Sequence, residues 1–348
     1  MLALFGPRTA LAEEAWQDWQ TYWQESGLPG TMTEMMGELA KGETPKLWER
    51  IGDMLRQDGM VILREGAQTL FSLWVMGAVI SMMQILLGDA HPEAHWVMTL
   101  LAAGEMLVLC LPMIRRVGNT VETLCGFVST AAPGIAVTLL AAGREASSQM
   151  LSPVGTAFVT LWSGYAKPVL LGSVEIGLVL TALDSLSPEH PMAGINRFLH
   201  SAMLWLLGIS LTVLGGLLGL RTAVSASYDG IWMRSARYAV DHAVSGIGGA
   251  LSEIMNTAAV SAGLTAAGMG ISGLLILLAT VIRPGLRLLL MALALEAGAG
   301  LNGIWGSNAV NRMWKDAAGW LKILLYGLLA AAFLAGAATS WICLVGNG

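Results

Sequence analysis

The chain has 348 residues, of which 55% are hydrophobic and 12% charged, with a net charge of −5. Soluble domains carry about 25% charged residues, so this composition excludes an ordinary soluble enzyme, a disordered chain and a nucleic-acid binder of the basic type. It fits a polytopic membrane protein. The charge is uneven: residues 13–66 hold eleven acidic and five basic residues, whereas residues 67–348 hold thirteen of each.

The first twelve residues end in Ala10-Leu11-Ala12 before Glu13, the small-x-small pattern of a signal-peptidase site. They are expected to be a signal-peptide remnant, which puts residue 13 outside the cytoplasm. The acidic segment 13–66 is too short and too charged for a core of its own. Trp16, Trp19 and Trp23 fall at i, i+3, i+7, one helical face, and Leu47, Ile51, Met54, Leu55 and Val61 form a second apolar stripe. Two readings stand: amphipathic helices resting on the membrane or on the rest of the chain, or a docking face for a partner.

From residue 67 to the C-terminus the chain reads as a transmembrane helical bundle. Crossing the hydrocarbon core takes about 20 apolar residues. The qualifying runs are Ala67–Leu87, Trp96–Ile114, Leu124–Ala142, Val154–Leu183, Phe198–Leu220, Ile254–Ile282, Leu286–Leu301 and Trp320–Val345. Val154–Leu183 carries Lys167-Pro168 near its middle and reads as one kinked helix or two half-helices. Arg283-Pro284-Gly285 reads as a break. The expected fold is therefore all-α, a polytopic helical membrane protein with about eight transmembrane spans (seven to nine) and a short amphipathic N-terminal segment. No strand alternation is visible, which excludes a membrane barrel. Gly215 and Gly219, and Ala259, Gly263 and Ala267, have the spacing of close helix contacts. Six basic residues on the inside loops against five outside give only a small positive-inside bias.

Residues 223–255 are moderately polar and read as an interfacial or re-entrant segment that ends in the glycine hinge Gly246-Ile247-Gly248-Gly249. Within it, Asp229-Gly230 has the character of a helix cap, and Arg234 and Arg237 form an i, i+3 cationic face. That face suits either snorkelling arginines or contact with an anionic partner or lipid.

Ionisable residues inside apolar runs cost about 2.5–3.5 kcal/mol each on insertion scales and usually face a cavity or a partner. The intramembrane candidates are Glu105, Lys167, Glu175, Arg283 and Glu296, with Arg287 and Lys322 nearby in the same runs. Lys167 and Glu175 lie eight residues apart on one face, about 12 Å along a helix and too far for a direct pair. A polar pathway is one reading. The other is that the cations snorkel and the glutamates stay protonated or pair within the bundle.

Cys110, Cys125 and Cys343 sit in apolar runs without CxxC spacing, and the five histidines are scattered, so no metal site or cofactor is expected. Nucleotide-binding, hydrolase and membrane-protease motifs are absent, so no catalytic residue is assigned and the chain reads as non-enzymatic.

The stretch Asp229-Gly230-Ile231-Trp232-Met233-Arg234-Ser235-Ala236-Arg237-Tyr238 resembles the D-G-x-x-x-R-[ST]-A-[KR]-[FY] motif of the stage III sporulation protein AE family. Gly248-Gly249-Ala250-Leu251-Ser252-Glu253 is similar to the turn that follows it there. Ala132-Pro133, Leu139–Gly143, Ser152-Pro153 and Lys167-Pro168-Val169 occur in the family's order, so the resemblance runs from about Trp16 to Val345. The resemblance implies a multi-pass subunit of the mother-cell membrane around the forespore. It also implies a channel or secretion-like complex with other stage III sporulation proteins: a cytosolic ATPase, ring-forming proteins and small membrane subunits, and indirectly stage II protein Q. Within the motif, Asp229, Gly230, Arg234, Ala236, Arg237 and Tyr238 are the residues expected to contact a partner or lipid. The alternative is a stand-alone secondary transporter using Glu105 and Glu175.

Overall fold

A computed structural model describes residues 17–26, 45–87, 92–141, 145–187, 189–213, 248–302 and 308–344, with single positions at 28, 30, 31, 34, 215 and 216. Every regular element among them is helical, and no strand occurs among the described residues. The elements are α1 (17–25), α2 (Pro45–Leu87), α3 (Pro92–Ala141), α4 (Glu145–Tyr165), a π-helical turn (Ala166–Leu171), α5 (Gly172–Leu186), α6 (193–213), α7 (Gly248–Asn302) and α8 (Asn308–Leu344).

Among the described residues, four segments are long and apolar enough to cross a membrane: Trp96–Ala136, Gly155–Leu186, Ser272–Asn302 and Ala309–Ala337. The structure is that of a helical membrane protein, and the described residues do not confirm eight separate spans. Trp96–Ile114 and Leu124–Ala142 lie on the single 50-residue helix α3, which runs through Pro112 and Pro133. Ile254–Ile282 and Leu286–Leu301 lie on the single 55-residue helix α7. At 1.5 Å per residue these helices are about 75 and 82 Å long. Two apolar runs on one unbroken helix make one crossing, not two. The break expected at Arg283-Pro284-Gly285 is likewise absent, since α7 continues through Pro284. Proline is tolerated inside such helices because packed neighbours compensate for the lost backbone bond.

At Lys167-Pro168 the chain is one helix with a π turn. Proline has no N–H to give and its ring clashes with the carbonyl four residues back. Widening the turn over Ala166–Leu171 relieves both problems without ending the helix.

Contacting residues set the directions of the helices. Glu65 meets Arg287, Gly66 lies against Leu290 and Gly77 against Asn302, so α2 and α7 run parallel. Gly285 lies by Leu325 and Gly336 by Leu274, so α7 and α8 run antiparallel. Glu122 meets Lys167, Gly118 lies by Leu171 and Gly155 by Ala132, so α3 is antiparallel to α4 and the π turn. Gly177 lies against Trp320 and Ser185 against Met313, so α5 is antiparallel to α8. The core centres on α8, where Trp314, Trp320, Leu321, Leu324 and Leu328 are almost wholly buried.

The tryptophan face of α1 turns to the chain's own core. Trp19 and Trp23 are buried, and the Trp19 and Tyr22 rings meet Phe127 edge-on at 5.3 and 5.4 Å. Trp19→Ala should open a cavity beside Phe127 and Gly273 and loosen α1. The expected result is faster proteolysis ahead of residue 45 with the melting of the bundle little changed, read by limited proteolysis in detergent. Unchanged cleavage would show that the ring contact does not hold α1.

Candidate functional site

Five ionisable residues of the apolar runs, Glu105, Lys167, Arg287, Glu296 and Lys322, are drawn into contacts between helices distant in sequence. Ser72 on α2 donates to Glu105 on α3 at 2.9 Å. Lys167 on the π turn pairs with Glu122 on α3, with both side chains about half exposed. Lys322 on α8 donates to Glu296 on α7 at 2.5 Å. Arg287 on α7 donates through Nη2 to Glu65 at 3.2 Å. Its Nε lies 3.0 Å from the second carboxylate oxygen but off the hydrogen-bond angle, so the pair makes one hydrogen bond and not two. Glu175 is exposed on α5, and Arg283 is half-buried in α7.

These contacts join α2 to α3, α3 to the π turn, α7 to α8 and α2 to α7. In water such pairs contribute little, but within apolar helices a charge left without its partner is costly. Lys322→Met and Glu296→Gln are each expected to destabilise, and the double variant by less than the sum, with a coupling of about 1 kcal/mol or more. Detergent-to-SDS titration of the four proteins would read it; strict additivity would show that the pair is not coupled.

Among the described residues a buried polar assembly sits at the α5–α6 corner, and it was not singled out in the sequence. Asn196 on α6 donates through Nδ2 to Thr181 Oγ1 at 2.9 Å, and its Oδ1 accepts from Trp320 Nε1 at 3.1 Å. Thr181 in turn donates to the Gly177 carbonyl at 2.8 Å. Gly177 closes the ring, because only its missing side chain admits the Trp320 indole: a Cβ there would lie 2.1 Å from the ring. The His200 ring meets Trp320 edge-on at 5.4 Å. Thr181, Asp184, Ser185 and Asn196 are all buried.

The turn after α5 is held by its own last residues. Asp184 Oδ1 accepts the Met192 N–H at 2.8 Å. His190 Nδ1 lies 3.0 Å from the Asp184 carbonyl and 3.3 Å from its Oδ2. Both are acceptors, so Nδ1 carries the hydrogen. His190 has φ 47°, the left-handed region that histidine enters more readily than most residues. Its ring thereby caps the C-terminus of α5. Asn196 gave no signal in sequence because its partner Trp320 is 124 residues away. Asp184 just before the Pro-rich turn was the available clue.

Cys110 and Cys125 are buried free thiols. Among the described residues no group of three His, Cys, Asp or Glu side chains could hold a metal ion. The motif residues Asp229, Gly230, Arg234, Ala236, Arg237 and Tyr238 lie outside the described residues, as do residues 1–12. Of the segment 223–255, the structure describes only 248–255, as the first turns of α7.

Comparison with known proteins completes the picture. The profile of the family described as Stage III sporulation protein AE matches residues 31–346. The Stage III sporulation protein AE of Bacillus subtilis (strain 168) is 18% identical over 212 residues, 61% of this chain and 52% of that protein. The chain thus spans about half the length of the curated relative it matches. No solved structure matches it. The chain belongs to the stage III sporulation protein AE family.

Proposed function

We propose that this chain is a non-enzymatic integral membrane subunit of a channel or secretion-like complex that links mother cell and forespore during sporulation. It would sit in the mother-cell membrane around the forespore. Its partners would be other stage III sporulation proteins — a cytosolic ATPase, ring-forming proteins and small membrane subunits — and indirectly stage II protein Q. The observation that carries this reading is the family match over residues 31–346. The helical bundle supports a membrane subunit: its outer surface displays Phe71, Trp74, Met82, Val108 and Trp205, large apolar side chains that suit lipid or neighbouring membrane helices.

The test is affinity purification of the tagged chain in mild detergent from sporulating and vegetative cells, with mass spectrometry of what accompanies it. Stage III sporulation proteins recovered only from sporulating cells would support the proposal. A lone chain present in both cell states would overturn it in favour of a stand-alone transporter. Uptake by the purified chain alone in liposomes, abolished by Glu105→Gln, would be the transporter's signature.

A further inference from the structure

One face of the bundle is polar at a level where side chains exposed elsewhere on it are apolar. On α3, Asn119, Glu122 and Ser129 are exposed at helical spacing, and on α4 and the π turn so are Thr160, Ser163 and Lys167. The Glu122–Lys167 ion pair joins the two stripes, so they form one surface. Asn119 to Ser129 spans about 15 Å along the helix. Among the described residues, no large hydrophobic side chain is exposed between Val108 and Leu140 on α3, or between Gly155 and Glu175. Both stripes belong to segments long and apolar enough to cross a membrane.

The helix register fixes what lies at the same level on α7 and α8. Leu170 lies against Gly327, so Phe333 on α8 stands near the level of Gly164, and Leu329 near that of Pro168. Leu274 lies against Gly336, which brings Leu274 and Leu278 on α7 to the level of Leu161 and Tyr165. Leu274, Leu278, Leu329 and Phe333 are all 43–59% exposed. A level immersed wholly in water would not display these four apolar side chains. A level wholly in lipid would not display an ion pair and a side-chain amide.

We infer that the α3–α4 face, centred on the Glu122–Lys167 pair, is a water-facing wall inside the membrane that carries hydrated solutes, while the α7–α8 face at the same level meets lipid. The inference rests on the channel-subunit reading and gives it a surface. A single bundle offers one wall, so a passage needs further walls from neighbouring subunits.

The test is thiol accessibility in membranes of sporulating cells. Thr160→Cys, Ser163→Cys and Asn119→Cys would be made in the otherwise native chain, with the parental protein giving the background from its own cysteines. Leu278→Cys and Phe333→Cys are the controls. A membrane-impermeant charged methanethiosulfonate needs a thiolate and therefore water. The wall positions should react at least tenfold faster than the controls. Wall positions as slow as the controls would overturn the inference, and so would controls as fast as the wall, since the whole level would then lie in water. Each variant is scored only where it accumulates at the parental level, and the two hydroxyl positions are small changes on an exposed face. Co-purification is the separate readout of the parent reading: an unreactive wall on a chain that still recovers its sporulation partners overturns this inference alone.

Discussion

Gly177→Ala should destabilise the bundle by about 1–3 kcal/mol, the usual cost of overpacking, although alanine is the better helix former by about 1 kcal/mol. The new Cβ would stand 2.1 Å from Trp320 Cε2 and 2.2 Å from Cζ2. The indole cannot swing clear at little cost: it is 1% exposed, its N–H is bound to Asn196 and His200 lies against it. Either α5 moves away from α8 or the indole leaves its hydrogen bond. Gly177→Leu should abolish accumulation in the membrane. The sign of the effect tests the cause. In a Trp320→Ala background the obstruction is gone, so Gly177→Ala should be neutral or stabilising there. Unfolding by SDS titration of the purified single and double variants would read this. A Gly177→Ala cost that persists without the indole would place its origin elsewhere.

The helical class was legible because long apolar runs without alternation leave no other membrane fold. The tryptophan face of α1 was legible from spacing, but its destination was not: Phe127 is more than 100 residues from Trp19, and no local pattern names it. Eight separate spans are not confirmed among the described residues, and the reason is physical. Hydropathy registers a charged interruption such as Arg115-Arg116 or Arg283 as an end, whereas the backbone needs only its own hydrogen bonds to continue as a helix. The ionisable candidates were visible in the sequence because charge within an apolar run stands out. Their partners were not, because Glu65 and Arg287 are 222 residues apart and meet only when α2 packs parallel to α7. The α5–α6 corner was missed for the opposite reason. Asn196, Thr181 and Trp320 are unremarkable one by one, and only the fold makes them a closed set.

That closed set gives the second large effect. Asn196→Leu keeps the volume roughly but removes one donor and one acceptor from a buried site. Thr181 keeps its bond to the Gly177 carbonyl, so it loses only the hydrogen bond it accepts. The Trp320 N–H, in contrast, loses its acceptor while remaining buried. An unsatisfied buried donor costs about 1–3 kcal/mol, so Asn196→Leu should cost about 2–4 kcal/mol in all. Trp320→Phe takes away the same N–H from the other side and leaves the Asn196 oxygen without its donor. If the hydrogen bond is the reason for the loss, the double variant Asn196→Leu/Trp320→Phe should cost less than the two singles together by about 1 kcal/mol or more. Additive costs would mean that the two side chains contribute through packing alone. The corner matters beyond stability because α6 meets α8 through this contact. Loosening it should therefore also release α6, seen as faster proteolysis in the turn at Glu189 and His190, while the Glu296–Lys322 pair at the α7–α8 contact stays in place.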